Sequence, residues 1–484
     1  MRNRIVPAAA LAAALVIITA ATALPAGFPG REKILDPDLL ESTAKSLNPV
    51  PVIVTLTAPG PSAGLSDKAL QRRIRKSVTS AMTRMAPADG RPHWRLENSP
   101  VFTAGVTEKG LRTLAGLDAV AAIEADRPLI LHTAQGIPLM RPGAYRGQGG
   151  GRGVAVAIVD TGVDYTHPAL GGGGFPNRKV IGGFDIGEND PDPMDNHGHG
   201  TACAAIAAGT PTGASGYLGG VAPEARIYAL KITAADRTIM TSGALRAWDW
   251  CVSHANDDPD HPIVAISTSI GTPMRHWRSH CKSPSLDSVA QAANRRGIAI
   301  FVSSGNEAQS DGISKPACIA GSIAVGAVYD ADIGSVGFST CRDGRTGADR
   351  VTCYSNSAPI LDLLAPAHNA TTATYPGRQY RTDFGGTSAA CPYAAGAAAL
   401  IQGVARNRTG RFLDVEALRS LMVRTGQRVT DPKSGLARNR VRIEPAVNAI
   451  GPGDGGGDGE DDEDDGRDGD APIDILRDIL KDAK

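Results

Sequence analysis

The chain has 484 residues, more than one ordinary hydrophobic core holds, so two or three folding units are expected. Lysine plus arginine and aspartate plus glutamate number 50 each, a balance that argues against nucleic acid or an acidic membrane as a partner of the whole chain. Aromatic residues make up 4% of the chain and glycine occurs 57 times, which suits an α/β core with close contacts between helices and strands.

Residues 1–23 have the features of a secretory signal. Arg2 and Arg4 give a basic start, an apolar stretch follows from Ala8, and Ala21-Thr22-Ala23 forms a small-residue cleavage site. The stretch is short and unflanked for a permanent membrane span, so an uncleaved anchor is the minority alternative. We therefore expect export to the extracellular space or the periplasm, with no stable membrane span once the signal is removed.

Residues from about 49 to 126 predict a separate small α+β unit with a β-α-β-β-α-β, ferredoxin-like order. Short apolar runs predict its strands, and apolar residues at helical spacing predict a helix that Ser66 caps and Pro87 ends. The predicted strands are 52–56, 102–106 and 119–123, and a second helix is predicted at 107–116.

A larger unit follows, from about residue 134 to residue 450. Apolar strand-like runs alternate there with helical stretches, and this alternation predicts an α/β fold with a doubly wound, mostly parallel sheet. The predicted strands include 154–159, 226–232, 263–267, 298–303 and 323–328.

The composition changes sharply after Ile450. Residues 451–471 are mostly Gly, Asp and Glu, and between 453 and 470 Arg467 is the only base, so we predict a disordered acidic linker. A calcium-binding glycine–aspartate repeat is disfavoured because no fixed period is present. Residues 472–484 predict a short amphipathic helix that docks on the protein, binds a partner, or only ends the chain.

Three short motifs, in one order, carry an acid, an imidazole and a hydroxyl. Asp160 lies in VDTG after an apolar run, so a buried strand would deliver it to the carboxyl edge of the sheet, where open α/β sheets bind ligands. His199 lies in HGHGT before an alanine-rich stretch that predicts a helix, and Ser388 lies in GTSAACP, where a glycine turn at a helix N-terminus would expose its hydroxyl. A serine hydroxyl is a weak nucleophile that needs a base to take its proton and an acid to orient that base.

The order Asp…His…Ser and these local contexts resemble the subtilisin-like serine proteases, the subtilase family. The resemblance implies that Ser388 attacks the scissile carbonyl, that His199 rather than His197 moves the proton, and that Asp160 orients His199. It implies a secreted serine endopeptidase that forms an acyl-enzyme and acts on polypeptides. The alternative is a catalytically inactive subtilase-fold protein that binds or inhibits, against which the full set of residues argues. The motif around the serine is not the GxSxG of esterases.

The resemblance also implies residues that surround a substrate. Asn306, in FVSSGNE, matches the position whose side-chain amide stabilises the oxyanion together with the backbone N–H of Ser388. Two uncharged segments match the substrate-binding walls of the primary specificity pocket, which favours an apolar side chain before the cut, while Glu307 at the rim could accept a basic one. The walls are Ser269, Ile270 and Gly271 on one side and Ser303, Ser304 and Gly305 on the other.

Residues 24–133 resemble the inhibitory propeptide of subtilisins in the strings NSPVFTAGVTEKGL and VAAIEADRPL. This implies a self-processing zymogen whose own propeptide is both chaperone and inhibitor; an unrelated small α/β domain is the alternative. Residues 134–138 resemble the start of a mature subtilase, so we place the cut at Thr133–Ala134 and the catalytic domain at 134–450. We expect a monomer.

Seven cysteines in an exported chain predict disulfide bonds and, because the number is odd, at least one thiol without an intramolecular partner. Cys281 with Cys318 and Cys341 with Cys353 are the candidate pairs. The state of Cys203, Cys251 and Cys391 stays open, including a bond between Cys203 and Cys391. The sequence has no CxxC motif or Cys/His cluster, so no zinc or other metal site is assigned.

We expect no cofactor to be required for catalysis. Structural calcium is a separate expectation, because subtilisins bind it. Subtilisins have a calcium-ligating carboxylate at the position that Ala169 occupies in DTGVDYTHPAL, and the loop 209–219 is also unlike the calcium loop of the family. This departure speaks against the usual calcium site. The acidic cluster 188–195 is either another calcium site or a solvated loop.

Overall fold

A computed structural model describes residues 28–36, 38–46, 48–58, 66–126, 130–131, 138–146, 149–214 and 216–451 of the protein. The predicted signal at 1–23, the predicted cut at Thr133–Ala134 and the predicted helix at 472–484 lie outside the described residues, as does the predicted linker beyond Gly451. In the ranges described, no helix combines the length and apolarity that a membrane crossing requires.

The N-terminal unit is an antiparallel sheet with helices packed against it. After a 3-10 helix at Arg31–Lys33, its elements are α1 (Asp38–Lys45), β1 (Val50–Leu56), α2 (Asp67–Met82), β2 (Gly90–Arg95), β3 (Val101–Val106), α3 (Glu108–Ala115) and β4 (Val120–Ala125). The strand order is β2-β3-β1-β4. All six residues of β3 are buried, and Phe102, Leu111 and Ile123 are in the core that holds the sheet against its helices.

One strand of this unit, β2, was implied by the predicted β-α-β-β-α-β order but given no residues, the helix α1 was not predicted, and one helix end was wrong. β2 lies at the edge of the sheet, where a strand carries polar residues and tolerates Pro92, so its sequence lacks an apolar alternation. α1 is a short helix ahead of the predicted unit. α2 ends at Met82 rather than near Pro87, and Ser66 precedes it without a side-chain capping hydrogen bond.

The large unit contains a nine-stranded sheet. Between the two units lies β5 (Ile130–Leu131). The strands of the large unit, nine of which form this sheet, are β6 (Ala155–Asp160), β7 (Val180–Asp185), β8 (Arg226–Lys231), β9 (Ile263–Thr268), β10 (Ile270–Gly271), β11 (His276–Trp277), β12 (Ala299–Ser303), β13 (Ile313–Ser314), β14 (Ile323–Val328), β15 (Val336–Gly337), β16 (Arg342–Asp343), β17 (Leu363–Pro366), β18 (Ala370–Ala373), β19 (Tyr380–Phe384), β20 (Gln427–Thr430) and β21 (Ala437–Arg440). The sheet order is β20-β21-β17-β14-β12-β9-β6-β8-β7, and every pair in it is parallel except β20 with β21.

Helices cover both faces of this sheet. They are α4 (His199–Ala208), α5 (Thr241–Ser253), α6 (Pro284–Arg295), α7 (Thr387–Thr409), α8 (Val415–Arg424) and α9 (Ile443–Asn448), with 3-10 helices at Pro138–Met140, Gly143–Arg146 and Pro168–Leu170. Along β6, Val156 and Ile158 belong to the core formed with α4 and α7, whereas Ala157 and Val159 belong to the core formed with α5 and α6. The predicted doubly wound, mostly parallel fold is confirmed.

Two disulfide bonds join loops of the large unit. Cys281 is bonded to Cys318, and Cys341 is bonded to Cys353. The other three cysteines, Cys203, Cys251 and Cys391, are buried free thiols. The structure therefore does not contain the bond between Cys203 and Cys391 that the sequence left open.

Candidate active site

The acid and the imidazole meet where β6 ends and α4 begins. His199 Nδ1 lies 2.7 Å from Asp160 Oδ1, and both side chains are buried. The Thr161 backbone N–H donates to the same oxygen at 2.8 Å. Gly200 allows this approach, because a Cβ at that position would lie 2.2 Å from the Gly162 carbonyl oxygen. Asp160 is thus paired with His199, the histidine that the motif selected over His197.

The nucleophile candidate lies at the start of the long helix α7. Gly386 precedes the helix with φ of 115°, a conformation that favours glycine. The Ser388 hydroxyl donates to the Ser269 carbonyl at 2.8 Å, at the junction of β9 and β10. The sequence predicted an exposed hydroxyl at this turn, but Ser388 is fully buried. The glycine turn therefore positions the hydroxyl against the substrate-wall candidate instead of presenting it to solvent.

A proline inside α7 connects this serine to the other two motifs. Pro392 has no N–H, so the carbonyl four residues earlier, that of Ser388, lacks its helical donor. Ser269 Oγ donates to this carbonyl at 2.7 Å, and Cys203 Sγ lies 3.6 Å from it. Cys203 Sγ is also 3.7 Å from His199 Nδ1. One sulfur therefore lies between the histidine and the serine, which places the three motifs in one cluster.

Asn306 lies in the loop after β12, next to the same helix start. Its Oδ1 accepts a hydrogen bond from the Thr387 backbone N–H at 2.8 Å. Its backbone carbonyl accepts a hydrogen bond from Thr340 Oγ1 at 3.2 Å. Because the amide oxygen faces Thr387, the NH₂ group of the same amide is the donor left for a ligand oxygen. The arrangement therefore suits an oxyanion at the N-terminus of α7.

The two predicted walls lie at the carboxyl ends of β9 and β12. Ser269, Ile270, Ser303 and Ser304 are fully buried. β10 pairs antiparallel with β5, Ile270 opposite Leu131 and Gly271 opposite Ile130. β10 was expected to pair with an extended substrate. In this structure it pairs with Ile130 and Leu131, which precede the predicted cut.

The wall formed by Ser303, Ser304 and Gly305 is itself uncharged but lies beside a carboxylate. Glu307 Oε2 lies 3.1 Å from His276 Nε2 and accepts a hydrogen bond from Asn356 Nδ2 at 2.6 Å. A Cβ on Gly305 would lie 2.6 Å from the same carboxylate oxygen. The carboxylate is therefore directly beside this wall, and residues 276 and 356 were not singled out from the sequence.

Residues 151–445 match the family model described as the Subtilase family. The chain belongs to the subtilase family. It is 32% identical over 271 residues to serine protease AprX of Bacillus subtilis (strain 168), which covers 52% of this chain and 57% of that protein. It is 32% identical over 276 residues to subtilisin BL of Lederbergia lenta, or 56% of this chain and 85% of that protein.

A solved structure described as a cold adapted subtilisin-like serine proteinase matches 61% of this chain and 90% of its own, with a TM-score of 0.47 and 26% identity. The subtilase chain described here thus spans little more than half the length of AprX but most of subtilisin BL.

A further carboxylate of this subtilase organises the histidine loop, and the sequence had placed it only in an acidic cluster. Asp195 is buried and accepts hydrogen bonds from Thr161 Oγ1, from Thr201 Oγ1 and from three backbone N–H groups, those of His197, Gly198 and Thr201. Burial raises the pKa of Asp195, and these hydrogen bonds partly oppose that rise. The carboxylate ties the loop after β6 to the start of α4, so it holds Asp160 and His199 in register.

The region compared with the family calcium site offers no carboxylate at the expected position. Ala169 is fully buried in the 3-10 helix Pro168–Leu170. In the acidic cluster, Glu188 pairs with Lys231 at 2.6 Å, and Asp192 accepts a hydrogen bond from Tyr165 Oη at 2.9 Å. Glu188 and Asp192 therefore each have a protein partner in this cluster.

Proposed function

We propose that this subtilase is a serine endopeptidase that is made as a self-processing zymogen and exported. The observation that carries the proposal is the pairing of Asp160 with His199 at 2.7 Å beside Ser388 and Asn306, all at one edge of the sheet. The family match and the serine proteases among the relatives support the reaction class. An inactive binding protein stays the alternative, and the intact constellation argues against it.

In the proposed reaction, Ser388 attacks the carbonyl carbon of a peptide bond while His199 takes the hydroxyl proton. For this step the hydroxyl must exchange the Ser269 carbonyl for His199 Nε2 as its acceptor. Asp160 accepts a hydrogen bond from Nδ1–H, which leaves Nε2 unprotonated, and its negative charge stabilises the imidazolium that follows. His199 then gives the proton to the leaving amine. In the second step His199 takes a proton from water, which attacks the acyl-enzyme, and returns that proton to the Ser388 oxygen as the acyl group leaves.

The substrate class follows from the strand at the edge of the site. β10 offers its backbone to an extended chain, and β5 pairs with it over two residues. A polypeptide in extended conformation is therefore the proposed substrate. The Glu307 carboxylate beside the Gly305 wall adds an acceptor for a basic side chain to a site otherwise suited to an apolar one.

The N-terminal unit is the proposed propeptide, and its acidic residues hold two helices of the large unit. Glu124 accepts hydrogen bonds from the Ser285 backbone N–H and side chain at the start of α6, and pairs with Lys315 at 3.0 Å. Asp126 accepts one from the Ser242 backbone N–H at the start of α5. Helix N-termini have unpaired N–H groups and favour negative charge, so these contacts fit an inhibitor held next to β10, the strand with which β5 pairs.

A third carboxylate at this contact predicts pH-dependent release. Asp249 of α5 accepts hydrogen bonds from the Glu97 and Asn98 backbone N–H groups, and burial raises its pKa to about 6. When the N-terminal unit dissociates, the Asp249 carboxylate becomes solvated and its pKa falls toward the usual value near 4. The assembled state therefore binds the proton more tightly, and the stability that Asp249 contributes is lost as pH rises through about 6.

The cleaved N-terminal fragment should therefore bind the large unit about 25-fold more weakly at pH 7.5 than at pH 4.5, because a pKa shift from about 4 to about 6 is only partly expressed at pH 4.5. Size-exclusion chromatography of the processed protein at several pH values measures this. The variant Asp249→Asn should flatten the dependence, whereas Asp257→Asn, at an exposed position, should leave it unchanged. Equal retention at both pH values would rule out this contribution.

A covalent serine probe tests the proposed function itself. The full chain, incubated with a fluorophosphonate, should carry one adduct on Ser388 by peptide mass spectrometry and should lose its cleavage of an unfolded protein in proportion. Sequencing the N-terminus of the processed protein locates the cut. Cleavage that persists with Ser388 fully labelled, or a folded protein that neither reacts nor cleaves, would favour the binding-protein alternative.

A further inference from the structure

A basic pocket lies at the amino-terminal edge of the sheet, opposite the candidate active site. Its volume is about 680 Å³. Arg152 precedes β6, Lys179 precedes β7 and Arg226 begins β8, whereas Asp160 ends β6 at the other edge. The pocket is lined by five Lys or Arg side chains and one carboxylate, namely Arg146, Arg152, Arg178, Lys179, Arg226 and Glu224.

The positive charge of this pocket is poorly neutralised by the described residues. Glu224 is paired with Arg152 at 3.0 Å. Lys179 Nζ donates to the Pro223 and Ala225 carbonyls, which bear no net charge. No carboxylate in the described ranges forms an ion pair with Arg178 or Arg226. Burial and the Arg226 charge lower the pKa of Lys179 to about 7, and the nearby Glu224 carboxylate opposes this only in part.

The end of the described chain is next to this pocket. Arg146, one of its lining residues, follows Tyr145 in the 3-10 helix Gly143–Arg146, and Tyr145 Oη lies 2.5 Å from Asn448 Oδ1. Asn448 is the last residue of α9, and Gly451 is the last described residue. Ten residues beyond Asn448 reach at most about 35 Å when extended, so the segment that follows can enter the pocket.

The chemistry of that following segment is complementary to the pocket. Residues 452–470 contain ten Asp or Glu and a single base, Arg467. Because the segment is tethered beside the pocket, its local concentration there is in the millimolar range without any further contact. No other stretch of the chain combines this charge with this point of attachment.

We propose that the acidic segment 452–470 of this chain docks in the basic pocket at the amino-terminal edge of the sheet. The segment supplies the anions that Arg178 and Arg226 lack, and it occupies a surface that would otherwise bind polyanions from solution. Docking at this edge leaves the carboxyl edge, where Asp160 lies, open to substrate. The interaction is electrostatic, so salt should weaken it strongly.

Zero-length carbodiimide cross-linking tests the contact in the full chain. All variants carry Ser388→Ala, which prevents self-cleavage of the chain. Arg178→Lys places an amine in the pocket and keeps the charge. Arg424→Lys does the same in a second arginine-rich pocket, at α8, and is the matched control. We expect at least about fivefold more cross-links to residues 452–470 from position 178 than from position 424, and their loss in about 0.5 M salt. Equal yields at both positions would overturn the proposal.

A competition measurement gives an independent answer with inorganic tripolyphosphate as the probe. A full chain with the ten acidic residues of 452–470 changed to their amides should bind the probe at least about fivefold more tightly than the wild type in low salt, because the pocket is vacated. Arg178→Glu with Arg226→Glu should remove this difference. If the wild type and the amide variant bind the probe equally, an external polyanion rather than the segment is the occupant, and the proposal fails.

Discussion

Replacing Ser388 with alanine is expected to lower turnover on a peptide substrate by about 10⁶, the size of the loss in subtilisin itself when its nucleophile is removed. The reason is that Ser388 is the proposed nucleophile, while the Ser269 hydroxyl and the Asn306 amide are engaged at the start of α7 and burial raises the pKa of the Cys203 thiol. The same variant should keep its N-terminal unit attached, so that the intact mass persists on incubation while the wild type shortens. Single-turnover kinetics and intact-mass spectrometry measure both effects.

The matched control is Ser357→Ala, which also truncates a buried serine. Ser357 lies outside the site, and its hydroxyl is hydrogen-bonded to that of Ser434. It should process and cleave at rates within about threefold of the wild type. A Ser388→Ala protein that shortens at the wild-type rate in purified form would show that another group is the nucleophile, whatever happens to added substrate.

The elements that carry the three motifs could be predicted because each has a strong local pattern. β6 is a fully buried run that ends in Asp160, and α4 and α7 are small-residue helices that begin at the histidine and the serine motif. Periodicity and glycine placement depend only on neighbouring residues, so they are visible in sequence. The parallel sheet followed from the alternation of these elements.

The supporting contacts could not be predicted, since they join residues far apart in sequence. Asp249 meets Glu97 and Asn98 across about 150 positions, and Pro392 acts through Ser269 by freeing a carbonyl. Arg152, Arg178 and Arg226 line one pocket only because the starts of three strands adjoin. β2 was implied by the predicted order but could not be located, because an edge strand that contains Pro92 and is mostly exposed has no apolar alternation.

Asn306→Ala is expected to lower kcat by about 10²–10³ with KM changed by less than about threefold, a range that comes from the equivalent loss in subtilisin. The structure gives the physical reason: the Thr387 N–H fixes the amide oxygen, so the NH₂ group is preoriented for an oxyanion that exists only after attack. A donor used only in the transition state affects kcat and leaves ground-state binding almost unchanged. Steady-state kinetics on one peptide substrate separates the two constants.

Two further variants distinguish donation from mere anchoring of the loop. Asn306→Asp keeps an oxygen for the Thr387 N–H but replaces the donor with a negative charge, so its kcat should fall at least as far as that of Asn306→Ala. Thr340→Val removes the hydroxyl that donates to the Asn306 carbonyl but leaves the amide in place, so its kcat should stay within about threefold of the wild type. If Asn306→Asp retained activity while Thr340→Val lost it, the residue would serve to hold the loop, and the oxyanion would depend on the N-terminus of α7 alone.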